Sequence, residues 1–225
     1  MADLREIVLD TETTGLRAKH GHRIVEIGCV ELINKVRTGR TFHTYLNPQR
    51  KIDSTAYEVH GISNEFIADK PIFSKVAEQF IEFIGNSNLI IHNAIFDMQF
   101  INQELTLSGR YTIPMHRAID TLLMARKKFP GSQASLDALC RRFNISLHTR
   151  EKHGALIDAE LLALVYIEMS SGNQGQIKLD TNINRAVSSR NYPYRIFEAS
   201  ADELRRHACI MKLIKEPIWM KSNSV

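Results

Sequence analysis

The stretch Ile7-Val8-Leu9-Asp10-Thr11-Glu12-Thr13-Thr14-Gly15-Leu16 decides how the rest of the sequence is interpreted. It begins with an apolar, β-branched run that predicts a buried strand. Side chains alternate between the two faces of a strand, so Asp10 and Glu12 point the same way. Two neighbouring buried carboxylates repel each other and lose hydration, so they need protons or cations. The stretch therefore predicts a divalent-metal site at the end of a central strand.

The composition is that of an ordinary globular protein. The chain has 225 residues, of which 44% are hydrophobic and 24% charged, enough for one large domain with or without an appendage. No segment reaches the ~18 apolar residues of a membrane span, and residues 1–6 lack the features of a signal peptide. Three scattered cysteines without a Cys-x-x-Cys pair favour a reducing compartment over disulfides or a thiolate metal site. We expect a cytoplasmic protein that contacts no membrane.

The positive charge is concentrated near the C-terminus. The net charge is +4, but residues 1–170 contain 20 basic and 20 acidic side chains. Residues 171–225 contain 9 basic and 5 acidic ones. The basic isoelectric point is therefore no evidence that the main domain itself binds nucleic acid.

The hydrophobic pattern predicts an α/β fold, with a mixed five-stranded sheet flanked by helices. The first three strands should form an antiparallel meander, with a turn at Asn34-Lys35 or at Thr38-Gly39. The predicted strands are 4–10, 23–33, 39–46, 89–92 and 118–121. The main predicted helices are 71–84, 95–107, 121–128, 135–143 and 154–169, with short helical pieces at 54–68.

A small C-terminal tail is predicted after the polar stretch Ser170–Gln176. We expect a first domain over residues 1–171, a flexible linker over 172–182 and the tail over 183–225. Ser200-Ala201-Asp202-Glu203 has the pattern of a capping box and predicts the start of a helix that ends before Pro217. The tail is too short to bury a core of its own.

Two further acids occupy helix positions where apolar side chains are expected. Asp97 lies on a face with Ile101 and Leu105, and Asp158 lies on a stripe with apolar residues four, seven and eleven positions later. Asp97 as an N-cap and Asp158 as an acid in a first helical turn are alternatives that remain open. Asp10 and Glu12 also allow a simple turn at a strand end. The four acids together favour a metal site.

His153 is a candidate general base beside these acids. Five positions along a helix correspond to about 140°, so His153 and Asp158 could not share a helix face. We therefore expect His153 to lie in the loop before the helix, next to Gly154.

Three segments resemble the exonuclease motifs of the DEDDh 3′→5′ exonucleases. They are Asp10–Leu16, His92-Asn93-Ala94-Ile95-Phe96-Asp97 and His153-Gly154-Ala155-Leu156-Ile157-Asp158. Between the motifs, Val59-His60-Gly61-Ile62, Asp69-Lys70-Pro71 and Ser135–Cys140 resemble the proofreading subunits of bacterial replicative DNA polymerases. The resemblance covers residues 5–170 well and continues faintly in the tail.

The resemblance implies a ribonuclease-H-like fold and hydrolysis of a phosphodiester with two divalent metal ions, Mg²⁺ or Mn²⁺. Asp10 would bind both ions, Glu12 and Asp158 the ion that activates water, and Asp97 the other. His153 would accept the proton of the water. The residues expected to hold the 3′-terminal nucleotide are Thr11, Glu12, Thr13, Thr14, Leu16, His60, Asn93 and Phe96.

The resemblance also implies partners. The substrate would be a single-stranded or frayed DNA 3′ end, and the tail would bind the catalytic subunit of the polymerase. Gln176-Ile177-Lys178-Leu179 resembles a sliding-clamp-binding peptide, although Asp180 stands where an aromatic residue is usual. A plain flexible linker is the alternative. A free-standing exonuclease acting on RNA ends or short oligonucleotides, and a catalytically silent nucleic-acid-binding module, also remain open.

Overall fold

The computed structural model describes residues 3–147, 153–171 and 199–214. The chain divides into two compact units, Met1–Ile177 and Lys178–Val225. The strands of the first unit are β1 (Arg5–Thr13), β2 (Ile24–Ile33), β3 (Val36–Tyr45), β4 (Asn88–Ile91) and β5 (Ala118–Asp120). Its α-helices are α1 (Ser54–His60), α2 (Asn64–Ile67), α3 (Phe73–Ile84), α4 (Ala94–Leu107), α5 (Thr121–Lys128), α6 (Leu136–Arg142) and α7 (Ala155–Ser171). Short 3₁₀ turns occur at Ala18–His20 and Met115–Arg117.

The strands form the mixed five-stranded sheet that the sequence predicts, in the order β3-β2-β1-β4-β5. β1 pairs antiparallel with β2, and β2 with β3. β4 runs parallel to β1, and β5 parallel to β4. The carboxyl ends of β1, β4 and β5 therefore meet at one edge of the sheet, where the chain leaves each strand carrying polar residues.

The hairpin between β2 and β3 turns at Asn34-Lys35, one of the two predicted positions. Both residues have positive φ, 51° and 65°, the combination that matches the twist of a two-residue hairpin loop. β3 consequently begins at Val36, three residues before the predicted start at Gly39. Gly39 itself has a φ of 84° beside an irregularity in the pairing of the two strands, so the strand continues through it as a bulge.

Helices cover both faces of the sheet. Ile7 and Leu9 of β1 pack with residues of α3 and α4 in one core cluster. Val8 packs on the opposite face against Ala159 and Leu162 of α7. Burial on both faces explains why β2 is buried from Ile24 to Leu32 although its sequence alternates apolar and polar residues.

The acids inside β2 are buried because basic side chains from other strands reach them. Glu31 accepts from Arg5 at 2.6 Å and from Arg40 at 3.0 Å. Glu26 is paired with His43 at 2.7 Å. A buried carboxylate is tolerated where a donor of this kind compensates for lost hydration.

The second unit contains one described helix, α8 (Ala201–Leu213). Ser200 caps it, and the side chain of Glu203 binds back to the Ser200 backbone, which confirms the predicted capping box. The linker peptide Gln176–Leu179 lies outside the described residues, as do Pro217 and Trp219. Within the described residues, no helix has the length and apolar character that crossing a membrane requires.

Candidate active site

β1 carries Asp10 and Glu12 to the edge of the sheet where the parallel strands end. The strand continues to Thr13, three residues beyond the predicted end, because β2 pairs with it along this whole length. Gly28 lies opposite Asp10, and Glu26 lies opposite Glu12. The pairing becomes irregular between Glu12 and Thr13, where the chain leaves the sheet. The two acids are thus held by regular strand pairing and not by a flexible turn.

Asp97 comes to this edge from α4. It lies in the first turn of that helix and is 3% exposed. The N-cap alternative is wrong, because the helix begins after Asn93 and Asp97 is its fourth residue. The Thr11 hydroxyl donates to Asp97 Oδ1 at 2.7 Å, so Thr11 fixes the orientation of this carboxylate.

Asp158 and His153 enter from the start of α7. The helix begins at Ala155, so His153 lies before it as expected. The loop turns the imidazole back towards the helix, and His153 Nδ1 lies 3.1 Å from Asp158 Oδ2. A carboxylate beside Nδ1 favours the proton on that nitrogen and leaves the lone pair on Nε2. This tautomer suits a general base.

The acids at the sheet edge strongly perturb one another. Burial raises the pKa of the Asp10 carboxyl well above its ordinary value, and the negative charges of Asp97, Glu12, Asp158 and Glu26 raise it further. Burial also raises the pKa of Asp97 to about 7, against the opposing effect of the Thr11 hydrogen bond. Among the described residues, no lysine or arginine forms an ion pair with Asp10 or Asp97.

This donor set fits divalent cations. Carboxylate oxygens of Glu12 and Asp158 lie within 4.8 Å of each other and of a ring nitrogen of His153. Carboxylate oxygens are the ligands that Mg²⁺ and Mn²⁺ prefer. A bound dication would offset the repulsion that raises the pKa of Asp10.

Two cavities are lined in part by the acids. The Arg126 cavity, of about 660 Å³, is lined by Asp10, Asp158, His153, His92, Asn93 and Arg126 together with residues 132–137. The Leu16 cavity, of about 320 Å³, is lined by Glu12, Thr13, Gly15, Leu16, His60 and Phe96 together with Thr55, Ala56 and Val59. Leu16 is 81% exposed at the rim of its cavity.

The residues predicted to hold a nucleotide therefore separate into groups. Glu12, Thr13, Leu16, His60 and Phe96 share the Leu16 cavity. Asn93, the N-cap of α4 with a φ of 66°, lines the Arg126 cavity instead. Within the described residues, Thr11 and Thr14 line neither cavity. Contact of each residue with substrate stays a prediction.

His60 supports the floor of the Leu16 cavity. Its Nδ1 accepts from the Ile62 backbone N–H at 3.0 Å. The proton therefore resides on Nε2, which donates to the Thr13 carbonyl at 3.2 Å. This hydrogen bond ties α1 to the end of β1.

His22, which was not predicted to support the site, contacts the turn at Thr14-Gly15. Thr14 is fully buried, and its hydroxyl lies 3.1 Å from His22 Nδ1 and accepts from the Arg23 backbone N–H at 3.1 Å. A Cβ on Gly15 would come within 2.4 Å of the His22 ring. Gly15 is therefore required by a side-chain contact.

Gly28 was also missed. A Cβ at this position would lie 2.3 Å from backbone atoms of Ala155 and Leu156, at the start of α7. The missing side chain lets the helix that carries Asp158 approach the strand beside Asp10. A glycine inside a strand is a known signal of close backbone approach, so the sequence did contain the information.

A ribonuclease-H-like sheet with four acids and a histidine at one edge defines the class of metal-dependent nucleases. Residues 7–166 match the RNase_T exonuclease family. Relatives include the DNA polymerase III subunit epsilon of Rickettsia conorii, 56% identical, covering 92% of this chain and 95% of the relative. The Escherichia coli K12 protein of the same name is 41% identical, covering 94% of each. The chain belongs to this exonuclease family and, within it, to the DNA polymerase III epsilon subunits.

Solved structures support the same fold. Exonuclease X in complex with 5′ overhanging duplex DNA is 26% identical, with a TM-score of 0.60, covering 74% of this chain and 92% of that one. The nuclease domain of 3′hExo, a DEDDh family member bound to rAMP, is 20% identical, with a TM-score of 0.65 over 75% and 92% of the two chains. The resemblance seen in the sequence is confirmed, as is the predicted fold class.

Proposed function

We propose that this protein proofreads newly synthesised DNA, removing nucleotides from the 3′ end as a subunit of the bacterial replicative polymerase, DNA polymerase III. The observation that carries the proposal is the cluster of Asp10, Glu12, Asp97 and Asp158 with His153, placed between two cavities. The relatives that bear the name DNA polymerase III subunit epsilon favour a replication role over a free-standing enzyme for RNA ends. The intact cluster argues against a silent binding module.

The acids would hold two divalent ions, Mg²⁺ or Mn²⁺. Asp10 would contact both, Glu12 and Asp158 the ion nearer the attacking water, and Asp97 the other. When bound, the ions would lower the pKa of water and stabilise charge on the reacting phosphate. Thr11 keeps the Asp97 carboxylate oriented through its 2.7 Å hydrogen bond.

His153 would accept the proton of the attacking water at Nε2. The Asp158 carboxylate, 3.1 Å from Nδ1, holds the imidazole in position for the transfer. Nearly half of the His153 side chain is exposed, so the accepted proton can pass to solvent. The product would be a nucleoside 5′-monophosphate.

The terminal nucleoside would occupy the Leu16 cavity. Its volume of about 320 Å³ is at the small end of ligand pockets, which suits one nucleoside and not a base pair. Leu16 at the rim and Phe96 in the wall offer apolar surfaces to the base. A paired end would first have to fray, and a mispaired end frays at lower cost. The lower cost of fraying would favour removal of mispaired nucleotides over paired ones.

The remainder of the chain would serve the complex. We propose that residues 1–171 form the exonuclease domain, that 172–182 are a flexible linker and that 183–225 bind the catalytic alpha subunit of DNA polymerase III. Gln176–Leu179 would contact the sliding clamp. A protein with these partners works in the bacterial cytoplasm. Co-purification of the alpha subunit with the full chain, but not with a chain ending at Ser171, tests the role of the tail.

The chemical proposal is tested with three proteins on a single-stranded oligonucleotide. The wild-type protein should release mononucleotides with Mg²⁺ or Mn²⁺, and Asp10→Ala should release none. His153→Ala should lose activity while retaining Mn²⁺ binding, measured by calorimetry. Mononucleotide release by Asp10→Ala at the wild-type rate would refute the assignment of the acids.

A further inference from the structure

The two cavities beside the acids differ in their chemistry. Within the described residues, the wall of the Leu16 cavity contains no lysine or arginine. The wall of the Arg126 cavity contains a guanidinium and the uncharged polar side chains of Ser132, Gln133 and Ser135. The first suits a nucleoside. The second is also lined by Asp10, Asp137 and Asp158, so the part of its wall that suits an anion is the part around Arg126.

Arg126 is available to such an anion. It is exposed in the last turn of α5. Within the described part of the chain, its side chain forms no ion pair, hydrogen bond or ring contact. Eight of the eleven described arginines of the first unit do form one. Six pair with acids, namely Arg5, Arg23, Arg37, Arg40, Arg50 and Arg110, Arg117 donates to backbone carbonyls, and Arg142 lies over the Phe129 ring. Arg126 is thus a cation that lines the cavity of the acids and has no structural partner among the described residues.

The position of α5 brings this charge towards the reacting centre. α5 begins directly after β5, whose end lies at the same sheet edge as the end of β4. His92, which follows β4, lines the same cavity. Burial lowers the pKa of His92, the Asp120 charge and a hydrogen bond with the Ala134 backbone raise it, and the Arg126 charge lowers it. His92 and Arg126 line one cavity, so Arg126 lies on the side of α5 that faces the end of β4.

The path of a bound strand follows from the two cavities. With the terminal nucleoside in the Leu16 cavity and the phosphate to be cleaved at Asp10, the Arg126 cavity, which Asp10 also lines, can accept the strand on the 5′ side. Its next phosphate then meets the wall that contains Arg126. A guanidinium binds phosphate oxygens with two parallel hydrogen bonds.

We infer that Arg126, with the polar wall around it, is a binding subsite for a backbone phosphate on the 5′ side of the cleaved bond. The inference rests on the proposed function, since it assumes that a nucleic-acid 3′ end is bound at the acids. Asp137 lies in the same wall, and its charge limits the affinity that Arg126 provides. Arg126 is thus a positioning residue that holds the strand and does not take part in the chemistry.

Two substrates distinguish the contribution of this subsite from that of the rest of the active site. A short single-stranded oligothymidylate has phosphates on the 5′ side of the cleaved bond. The p-nitrophenyl ester of thymidine 5′-monophosphate has the same terminal nucleoside and phosphate, but no phosphate beyond it. Water attacks phosphorus in both, and the leaving oxygen belongs to the upstream nucleoside in one and to p-nitrophenol in the other.

The test compares the full-length wild-type protein with Arg126→Gln, Arg126→Lys and Lys127→Gln. Lys127→Gln is the matched control, because Lys127 is the exposed neighbour on α5 and does not line the cavity. Arg126→Gln should raise KM for the oligonucleotide about tenfold, the effect of one charged hydrogen-bonding group. Arg126→Lys should raise KM for the oligonucleotide by less than Arg126→Gln does. In Lys127→Gln, KM for the oligonucleotide should stay within about twofold of wild type. With the ester, kcat/KM should stay within about twofold of wild type for every variant.

The salt dependence of binding provides a second measurement. In a His153→Ala background, which protects the oligonucleotide, Arg126→Gln should reduce the slope of log K against log salt by about 0.7, the value for one phosphate contact on a single strand. Equal losses on ester and oligonucleotide, or no change in KM and slope, would overturn the subsite. Failure of the wild-type protein to cleave either substrate would instead refute the proposed function, and the binding measurement would still decide the role of Arg126.

Discussion

Replacement of Gly28 by alanine should move Asp158, on α7, away from Asp10 and Glu12, on β1. Gly28 lies opposite Asp10 on β2, and the backbone of α7 packs directly on it. The new Cβ would lie 2.3 Å from Ala155 C and Leu156 N, whereas ordinary contacts begin at 3.4 Å. The start of α7 must therefore move away from the sheet by the difference, about 1.1 Å. Asp158 and His153 move with the helix, while Asp10 and Glu12 remain on β1.

The expected losses follow from this displacement. A shift of about 1 Å in catalytic groups can lower the rate about 100-fold. Overpacking of a buried contact costs about 1–3 kcal/mol of unfolding free energy. We expect Gly28→Ala to lower kcat for single-stranded oligonucleotide by about 10- to 100-fold. It should also shift the urea midpoint to lower concentration with an unchanged slope.

Gly154→Ala is the matched control for this experiment. Gly154 precedes the same helix, but a Cβ there would meet its nearest neighbours, Ile157 and Glu26, at 3.9 and 4.0 Å. These are ordinary contacts, so kcat should stay within about threefold of wild type and the urea midpoint should hardly change. Wild-type kcat and unfolding free energy in Gly28→Ala would refute the reasoning, because α7 would then have no need of the close approach.

Three further predictions concern other parts of the site. Arg23→Ala leaves the buried Glu104 carboxylate without its two 2.6 Å hydrogen bonds, so urea unfolding should show a loss of about 3–5 kcal/mol; a loss under about 1 kcal/mol would contradict a structural role for the pair. The raised pKa of Asp97, about 7 against an ordinary 3.8, means that the folded metal-free protein binds a proton which the unfolded chain releases. Its stability should fall as pH rises through this window, and Asp97→Asn should flatten the fall measured in EDTA; an unchanged slope would count against the buried acid. His60→Ala should raise KM for the thymidine ester severalfold, because the Thr13 carbonyl loses its 3.2 Å donor; an unchanged KM would remove His60 from the nucleoside site.

The sequence predicted those features that depend on local periodicity. The alternation along β1 placed Asp10 and Glu12 on one face, and the angle between positions on a helix placed His153 outside α7. The start of β3 was wrong by three residues, because two turn sequences compete in this hairpin. The choice was decided by backbone conformation at Asn34 and Lys35, where positive φ fits the twist of the strands.

Contacts between distant residues could not be read in the same way. The hydrogen bond from Thr11 to Asp97 joins residues 86 positions apart, and nothing near Thr11 in the sequence indicates it. The burial of Glu31 depends on Arg5, which lies on the neighbouring strand. Asn93 was assigned to the same pocket as Phe96, but it lines the other cavity. Proximity in sequence was a poor guide in each case.

The position of α7 in the chain has a consequence for biosynthesis. Asp10 and Glu12 are made early, whereas Asp158 follows Asp10 by 148 residues. At about 5–20 residues per second, a ribosome needs roughly 7–30 s to cover that distance. During this time the nascent chain has at most three of its four acids and lacks the general base until His153 is made, so it cannot hydrolyse nucleic acid. Docking of α7, which carries Asp158, converts an inert precursor into a nuclease, and premature termination before α7 yields a harmless fragment.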